Sequence, residues 1–222
     1  MAQAHGPRIV TDGLVFCVDA ANVKSYPGSG NTWSNLANTN SSGTFSGATY
    51  DNGSIDFVPN SFVPFINDTA LDTQTPSVEV WVKTDALTQY GFWFEKGTVN
   101  TQYSLFQEGT NITWRTAGLS PTDIDVTTAT YMNTTSWYQI VGTFTSGSKK
   151  LYINAVERGS SGVTGTISTS AGGMSIGAYG GYNGGRSYYY NGRLASCKVY
   201  NKVLTPEEVS QNFNALRGRY GI

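Results

Sequence analysis

The sequence predicts an all-β fold in which two antiparallel sheets pack face to face and one α-helix closes the chain. Short segments with alternating apolar and polar residues recur along the 222 residues, and turn-forming dipeptides separate them. Hydrophobic residues make up 39% of the chain and aromatic residues 13%, which is enough apolar material for a core between two sheets. Many short strands with this spacing are typical of a β-sandwich.

The predicted strands extend over most of the chain. Residues 77–83 show the pattern most clearly, because three valines alternate with Glu79, Trp81 and a lysine. The valines are expected to face the core. Asn-Gly pairs at residues 52–53 and 191–192 are typical of tight turns between antiparallel strands. The other predicted strands lie at residues 13–19, 54–58, 90–95, 103–107, 111–115, 137–145, 150–154, 174–177 and 194–200.

The predicted helix begins after Thr205. Thr205 is a good N-cap residue, Pro206 suits the first helical position, and Glu208 completes a capping box. Gly218 is predicted to end the helix. Its apolar stripe consists of Val209, Phe213 and Leu216.

Residues 1–10 are predicted to form an N-terminal arm ahead of one domain that spans residues 11–222. The arm contains a Gly-Pro pair and no strand pattern, and its candidate assembly residues are His5, Pro7 and Arg8. Such an arm could clamp a neighbouring subunit. The first residues lack the apolar stretch of a secretion signal, and no segment approaches the ~18 apolar residues of a membrane span. We therefore expect synthesis in a cytoplasm and no membrane contact.

Charged residues are scarce. They make up 13% of the chain, about half of the usual share of roughly 25%, and 14 basic residues nearly balance 15 acidic ones. Because no basic patch is present, we expect no nucleic-acid partner. The surface must be covered by neutral polar residues, which suits glycans or close packing in a homo-oligomer.

Several segments together resemble a known family. Residues 13–22 and 77–83, the pair of segments at 137–145 and 151–154, and the C-terminal stretch from 190 to 220 are similar to laminin-G-like, concanavalin A-like jelly-roll domains. The closest resemblance is to domains in virion proteins of tailed phages of the cyanophage type. It extends from about residue 9 to the C-terminus.

The resemblance implies a non-enzymatic virion surface protein, made in the host cytoplasm. The first interpretation is a decoration or cement-type subunit of the phage head that also adheres to glycans. Its partners would be capsid or tail subunits and a host-surface glycan. The alternative is a lectin-like adhesin, such as a tail-fibre or receptor-binding module. A glycoside hydrolase on the same fold is the third.

The family also raises the question of structural Ca²⁺, which some of its members bind with carboxylates. This chain departs from them, because residues 57–62 read Phe-Val-Pro-Asn-Ser-Phe where relatives carry an acidic run. Calcium requires six or more oxygen ligands. The oxygen-bearing side chains near predicted strand ends are Asp19, Asn22, Asn60, Asp68 and Asp72. They form either a calcium site or ordinary turns.

A tyrosine-rich loop at residues 179–190 is the principal candidate binding site. Tyrosine provides a rigid amphipathic surface at a low entropic cost, and binding loops use it for this reason. The candidate residues for contact with a glycan or partner are Tyr179, Tyr182, Arg186, Tyr188, Tyr189 and Tyr190. The other interpretation is that some of these tyrosines start the next strand and pack locally.

Catalytic chemistry is poorly represented in the sequence. A retaining glycosidase needs two carboxylates about 5 Å apart, whereas Glu79 and Glu95 are each isolated on a predicted strand. Asp123 and Asp125 alternate, but the preceding proline suggests a loop. The single histidine, His5, lies in the predicted arm. We therefore expect no catalytic residues.

Two cysteines lie on segments that should be neighbours in this fold. Cys17 is on the first predicted strand and Cys197 on the last. Folding in a reducing compartment favours two buried thiols, and a disulfide formed late is the alternative.

Overall fold

Two eight-stranded antiparallel sheets form a sandwich. The computed structural model describes residues 7–37, 41–98, 101–180 and 185–222. The strands are β1 (Leu14–Asp19), β2 (Thr32–Ser34), β3 (Ser42–Thr44), β4 (Thr49–Asp51), β5 (Ser54–Phe57), β6 (Val63–Phe65), β7 (Ser77–Thr84), β8 (Gln89–Lys96), β9 (Tyr103–Gly109), β10 (Asn111–Thr116), β11 (Leu119–Ser120), β12 (Asp123–Thr127), β13 (Tyr138–Thr145), β14 (Ser148–Ile153), β15 (Val156–Gly162), β16 (Thr164–Gly165), β17 (Met174–Ile176) and β18 (Gly192–Tyr200). The α-helices are α1 (Thr128–Tyr131) and α2 (Pro206–Leu216), and short 3-10 helices lie at Thr69–Leu71 and Arg217–Tyr220.

We name the sheets A and B. Sheet A has the order β15-β14-β13-β7-β18-β5-β4, and β1 pairs with the second half of β18. Sheet B has the order β12-β10-β9-β8-β17-β6-β3-β2. The sequence prediction of two antiparallel sheets with a C-terminal helix is confirmed.

The main core lies between the inner faces of the two sheets. Val78, Val80 and Val82 of β7 point into it, as their alternation predicted. Opposite them, sheet B contributes Trp93 and Trp114, which are completely buried. Residues with large apolar side chains at every second position can fill such a layer because side chains alternate between the two faces of a strand.

Helix α2 covers the outer face of sheet A. It begins with the predicted capping box, in which Thr205 and Glu208 each accept a hydrogen bond from the other's backbone N–H. The α-helix ends at Leu216 with Arg217 as its C-cap, so Gly218 occupies the predicted C′ position. The backbone then continues as the 3-10 helix, and the left-handed conformation expected of a terminating glycine occurs at Gly221, with a φ of 71°. Tyr220 stacks on Trp81 with ring centroids 4.3 Å apart, and this contact holds the extra turn against the sheet.

The inner end of the predicted arm is fastened to the same face. The backbone N–H of Val10 donates to Asn212 of α2 at 2.7 Å, and Val10 is buried. Gln211 donates to the carbonyl of Arg8 at 2.8 Å. Pro7 and Arg8 are exposed, and His5 lies outside the described residues. A contact between the arm and a neighbouring subunit stays a prediction.

The longest helix in the described part of the chain has 11 residues. No helix within that part has the length and apolar character needed to cross a bilayer.

Candidate functional site

The outer face of sheet B carries aromatic and charged side chains on three adjacent strands. Phe92 of β8 lies opposite Phe106 of β9, and their rings stack with centroids 4.2 Å apart. A bulge between Phe92 and Phe94 turns Phe92 outward while Trp93 and Phe94 both enter the core. Arg115 of β10 lies beside this pair, with its guanidinium 4.8 Å from the centroid of the Phe106 ring.

The residues on either side of 181–184 fold back over this face as a hairpin. The backbone N–H of Tyr179 donates to the carbonyl of Ser187 at 3.0 Å. The N–H of Phe92 donates to the carbonyl of Tyr188 at 3.3 Å, which ties the hairpin to the sheet. Tyr188 has a φ of 47°, a strained conformation for a non-glycine residue of the kind that often accompanies binding sites.

Glu95 holds the base of the hairpin. Its carboxylate lies on the outer face of sheet B, is 1% exposed, and accepts a short hydrogen bond from the N–H of Gly180. Arg186 donates to the carbonyl of Gly180 at 2.9 Å. Burial lowers the pKa of Arg186, and the charge of Glu95 acts in the opposite direction. The isolated carboxylate of β8 therefore has a positioning role.

The hairpin also depends on a close backbone approach. Gly180 has a φ of 115°, and a Cβ atom there would lie 2.4 Å from the carbonyl oxygen of Gly185. Because only glycine fits this position without strain, the two halves of the hairpin can approach each other closely at Gly180 and Gly185.

Between the hairpin and the sheet lies an open groove of ≈ 320 Å³. Phe92 and Phe106 contribute to its lining, and Tyr179 lies 4.9 Å from Phe92 between ring centroids. Tyr188 is 51% exposed and Tyr90 52%, and their ring centroids are 5.6 Å apart. The residues that line the groove are Tyr90, Phe92, Phe106, Glu108, Arg115, Tyr179 and Tyr188.

Charge in the groove is concentrated at its polar end. Arg115 donates two hydrogen bonds to Asp123, at 2.9 and 2.8 Å, and lies 3.6 Å from the carboxylate of Glu108. The hydrogen bonds to Asp123 raise the pKa of Arg115. At the aromatic end, burial raises the pKa of Tyr179 and the charge of Glu95 raises it further, so this phenol stays protonated and can donate a hydrogen bond.

The tyrosines predicted from the sequence separate into different environments. Tyr179 and Tyr188 line the groove. Tyr189 lies against the ring of Phe62. The guanidinium of Arg186 lies over the same Phe62 ring, 4.6 Å from its centroid. Tyr182 lies outside the described residues.

The assignment of Tyr190 to a binding surface is wrong. Its side chain is 0% exposed, and its hydroxyl donates to the carbonyl of Lys83 at 2.9 Å. The backbone hydrogen bond from Tyr190 to Gly177 turns this side chain into the core. Tyr190 therefore packs locally, which is the alternative interpretation that the sequence left open for these tyrosines.

Five groove residues were not identified from the sequence. They are Tyr90, Phe92, Phe106, Glu108 and Arg115. The sequence of β9 could have indicated Phe106, because the alternation of side chains along this strand assigns Phe106 to the outer face. The bulge in β8 concealed the equivalent signal at Phe92.

The carboxylates considered for hydrolysis all have structural partners. Glu79 is buried beneath α2 and pairs with Lys198 at 2.7 Å. Asp123 and Asp125 lie in strand β12 and not in a loop, because β12 pairs with β10 over its whole length. Asp125 accepts a hydrogen bond from the Thr113 hydroxyl at 2.7 Å.

The candidate calcium ligands do not fit a calcium site as they stand. Asp19 binds Arg219 through both of its oxygens, at 2.8 and 2.9 Å. Asn22 and Asp68 accept hydrogen bonds from nearby backbone N–H groups, and Asn60 adopts a left-handed turn conformation. No cluster of three carboxylate, histidine or cysteine ligands is found within the described ranges.

Asp72 is engaged with a buried lysine. The ammonium of Lys96 lies 2.9 Å from the Asp72 carboxylate, 3.0 Å from the amide oxygen of Asn67, and 3.2 and 2.9 Å from the carbonyls of Ser170 and Gly172. Lys96 thus supplies a positive charge among four oxygens, as a bound cation does in other loops.

Both cysteines are free thiols and buried, as expected. Cys17 lies opposite Lys198 in the antiparallel register, whereas Cys197 lies opposite Val18. The two thiols therefore point to opposite faces of sheet A. Burial raises the pKa of both thiols, that of Cys17 to about 11.

Solved structures share this fold. The binding domain of Paraclostridial mosquitocidal protein 1 has a TM-score of 0.70 and 16% identity, with 92% of this chain and 52% of that chain covered. The binding domain of botulinum neurotoxin serotype D has a TM-score of 0.64 and 13% identity, with 92% and 52% covered. This chain thus spans about half the length of these toxin domains.

A third structure matches over nearly its whole length. Domain 4 of AbnA, a GH43 extracellular arabinanase from Geobacillus stearothermophilus, was solved in complex with arabinotriose. Its TM-score is 0.67 and its identity 18%, with 90% of this chain and 98% of that domain covered. At these identities the three likenesses establish the fold.

No curated protein matches the chain. A family model of the laminin G type, described as the concanavalin A-like lectin/glucanases superfamily, matches residues 60–210. Because the match covers well over half of the sequence, the chain belongs to the concanavalin A-like lectin/glucanases superfamily.

Proposed function

We propose that this domain is a non-catalytic carbohydrate-binding module whose site is the aromatic groove on sheet B. The single observation that carries the proposal is the combination in one groove of half-exposed tyrosine rings, Tyr90 and Tyr188, with a polar end at Glu108 and Arg115. Ligand pockets usually combine apolar walls with a few polar groups that fix orientation.

Sugars have the chemistry that such a groove accommodates. One face of a pyranose or furanose ring is lined by C–H groups and can lie on an aromatic ring, while its hydroxyls hydrogen bond at the edge. Tyr179 and Tyr188 can provide the apolar surface. The carboxylate of Glu108 can accept hydrogen bonds from hydroxyls, and the tyrosine hydroxyls can donate or accept them.

The carboxylates around the groove favour binding over hydrolysis. Asp123 is engaged by the guanidinium of Arg115, and Glu95 by the hairpin backbone. Hydrolysis needs a general acid and a second carboxylate on either side of the scissile bond. The three structural neighbours support the same interpretation, because two are binding domains and the third holds arabinotriose.

The test is a double variant, Tyr90→Ala with Tyr188→Ala, titrated calorimetrically against oligosaccharides that wild type retains on a glycan array. Affinity should fall by about 5- to 150-fold, since each of the two aromatic contacts contributes about 0.5–1.5 kcal/mol. Tyr50→Ala is the matched control, because Tyr50 is an exposed tyrosine on strand β4 of the other sheet. A wild-type protein that retains no glycan would refute the proposal.

A setting on a phage virion is the second proposal. The similarity of residues 13–22 and 190–220 to virion domains supports it, as does the low share of charged residues, 13%. A decoration subunit should assemble as a homo-oligomer and bind expanded capsids through the arm. Light scattering on the purified chain and cosedimentation with capsids test both points. A monomer that does not cosediment would overturn the decoration role and leave the lectin-like role intact.

A further inference from the structure

We infer that the groove selects neutral glycans and rejects acidic ones. This inference rests on the proposed function and adds the chemical class of the ligand. It follows from how the charges at the polar end of the groove are disposed. Two carboxylates, Glu108 and Asp123, face one guanidinium, that of Arg115.

Arg115 is the group that would have to bind an acidic sugar. A guanidinium grips a carboxylate best through two parallel N–H donors. In this protein Nε and Nη2 of Arg115 already donate to the two oxygens of Asp123, at 2.9 and 2.8 Å. The guanidinium also lies over the ring of Phe106, which fixes its plane. Its preferred edge is therefore occupied by the protein.

Glu108 adds repulsion. Its carboxylate lines the groove and lies 3.6 Å from Nη2 of Arg115. A sialic acid or uronic acid placed there would bring its negative charge close to that of Glu108. Charges of like sign across an interface are a common means of excluding the wrong partner.

The rest of the described groove lining adds no charge. The other described lining residues are tyrosines and phenylalanines. The guanidinium of Arg186 lies over the ring of Phe62 and does not line the groove, and it interacts with the charge of Glu95. Neutral hydroxyl groups of a ligand can instead donate hydrogen bonds to the carboxylate of Glu108.

The size of the groove limits the length of the glycan. A volume of ≈ 320 Å³ is near the lower end of the range of about 300–1,000 Å³ for ligand pockets. A site of this size fits one or two sugar units. The discrimination against acidic groups should therefore apply to the sugar unit that occupies the groove. Acidic groups farther along the glycan should not affect its binding.

The experiment compares the wild-type chain with a charge-reversal variant, Glu108→Lys. Both are titrated against neutral arabinan, glucan and mannan oligosaccharides, against sialyllactose and oligogalacturonate, and against a choline-bearing glycan. Asp12→Lys is the control, because it changes the net charge equally at an exposed carboxylate on the side of α2, away from the groove. Circular dichroism verifies that all three proteins are folded.

Wild type should bind a neutral oligosaccharide at least about tenfold more tightly than any acidic one. Glu108→Lys should reduce this ratio about tenfold or more, and Asp12→Lys should not. Stronger binding of the acidic or choline-bearing glycans by wild type, or an unchanged ratio in Glu108→Lys, would overturn the inference while the lectin-like function stands. Absence of binding to every glycan would instead refute the proposed function.

Discussion

Nζ of Lys198 lies 2.7 Å from Oε1 of Glu79, and both side chains are enclosed between sheet A and the C-terminal helix. Asn212 of α2 donates to the second oxygen of Glu79 at 2.8 Å and contacts the hydroxyl of Tyr200 at 2.9 Å. The helix is thus joined to the sheet by a buried polar network as well as by apolar packing.

Removal of one partner of this ion pair should be costly. Glu79→Gln leaves the ammonium of Lys198 buried without its counter-charge, so the free energy of unfolding should fall by about 3–5 kcal/mol. Urea denaturation measures the change. The exposed pair of Lys150 and Glu157 on the same sheet is the control, and Lys150→Ala should cost less than about 1 kcal/mol. Equal losses in the two variants would contradict the prediction.

A buried lysine should make stability depend on alkaline pH. Burial lowers the pKa of Lys149 to about 8, from 10.5, and its ammonium donates to the carbonyl of Thr122. Between about pH 8 and 10.5 the unfolded chain therefore holds more protons at this residue, so its contribution to stability rises with pH. Above 10.5 the lysine is neutral in both states and the contribution is constant.

Lys149→Met should remove this dependence. The free energy of unfolding of wild type minus that of the variant should increase by roughly 3 kcal/mol from pH 7.5 to pH 10.5. The comparison with the variant cancels the opposite effect of the buried thiols and phenols. Urea titrations at several pH values provide the measurement, and a constant difference would show that Lys149 is not the source.

The cysteines should be unreactive in the folded protein. Burial keeps Cys17 and Cys197 protonated well above neutral pH, and the thiolate is the reactive form. We expect a chromogenic disulfide reagent at pH 8 to modify neither thiol in buffer and both in urea. Fewer than two thiols in urea without reductant would indicate a disulfide, which the register of β1 and β18 opposes.

The hairpin over the groove should depend on Gly180. Gly180→Ala places a methyl group against the carbonyl of Gly185, so glycan affinity should drop about tenfold or more while the domain stays folded. Gly147→Ala is the matched control. Gly147 also has a positive φ, 90°, but a Cβ atom there would have no neighbour within 4 Å, so only the strain of the backbone is added. Similar binding by both variants would exclude a role for the close approach.

Local patterns in the sequence predicted the features that depend on neighbouring residues. The alternation in β7 assigned its valines to the core, and the capping box placed the start of α2. The partner of Glu79 could not be predicted in this way, because Lys198 is 119 residues away and only the pairing of β7 with β18 brings them together.

The candidate site was predicted only in part for a similar reason. The tyrosine loop drew attention to Tyr179 and Tyr188, but the other wall of the groove comes from three strands. Outward placement of Phe92 results from a bulge, which breaks the period of two on which the strand prediction relied. Inward placement of Tyr190 depends on its backbone contact with Gly177.

The two ends of the described chain meet on one side of the sandwich. Arg8 lies beside α2, and the 3-10 helix that follows α2 packs on Trp81 of the same sheet. The groove opens on the outer face of the other sheet. A fusion partner or a biotin tag attached to the α2 side of the sandwich would therefore leave the groove facing the surrounding medium.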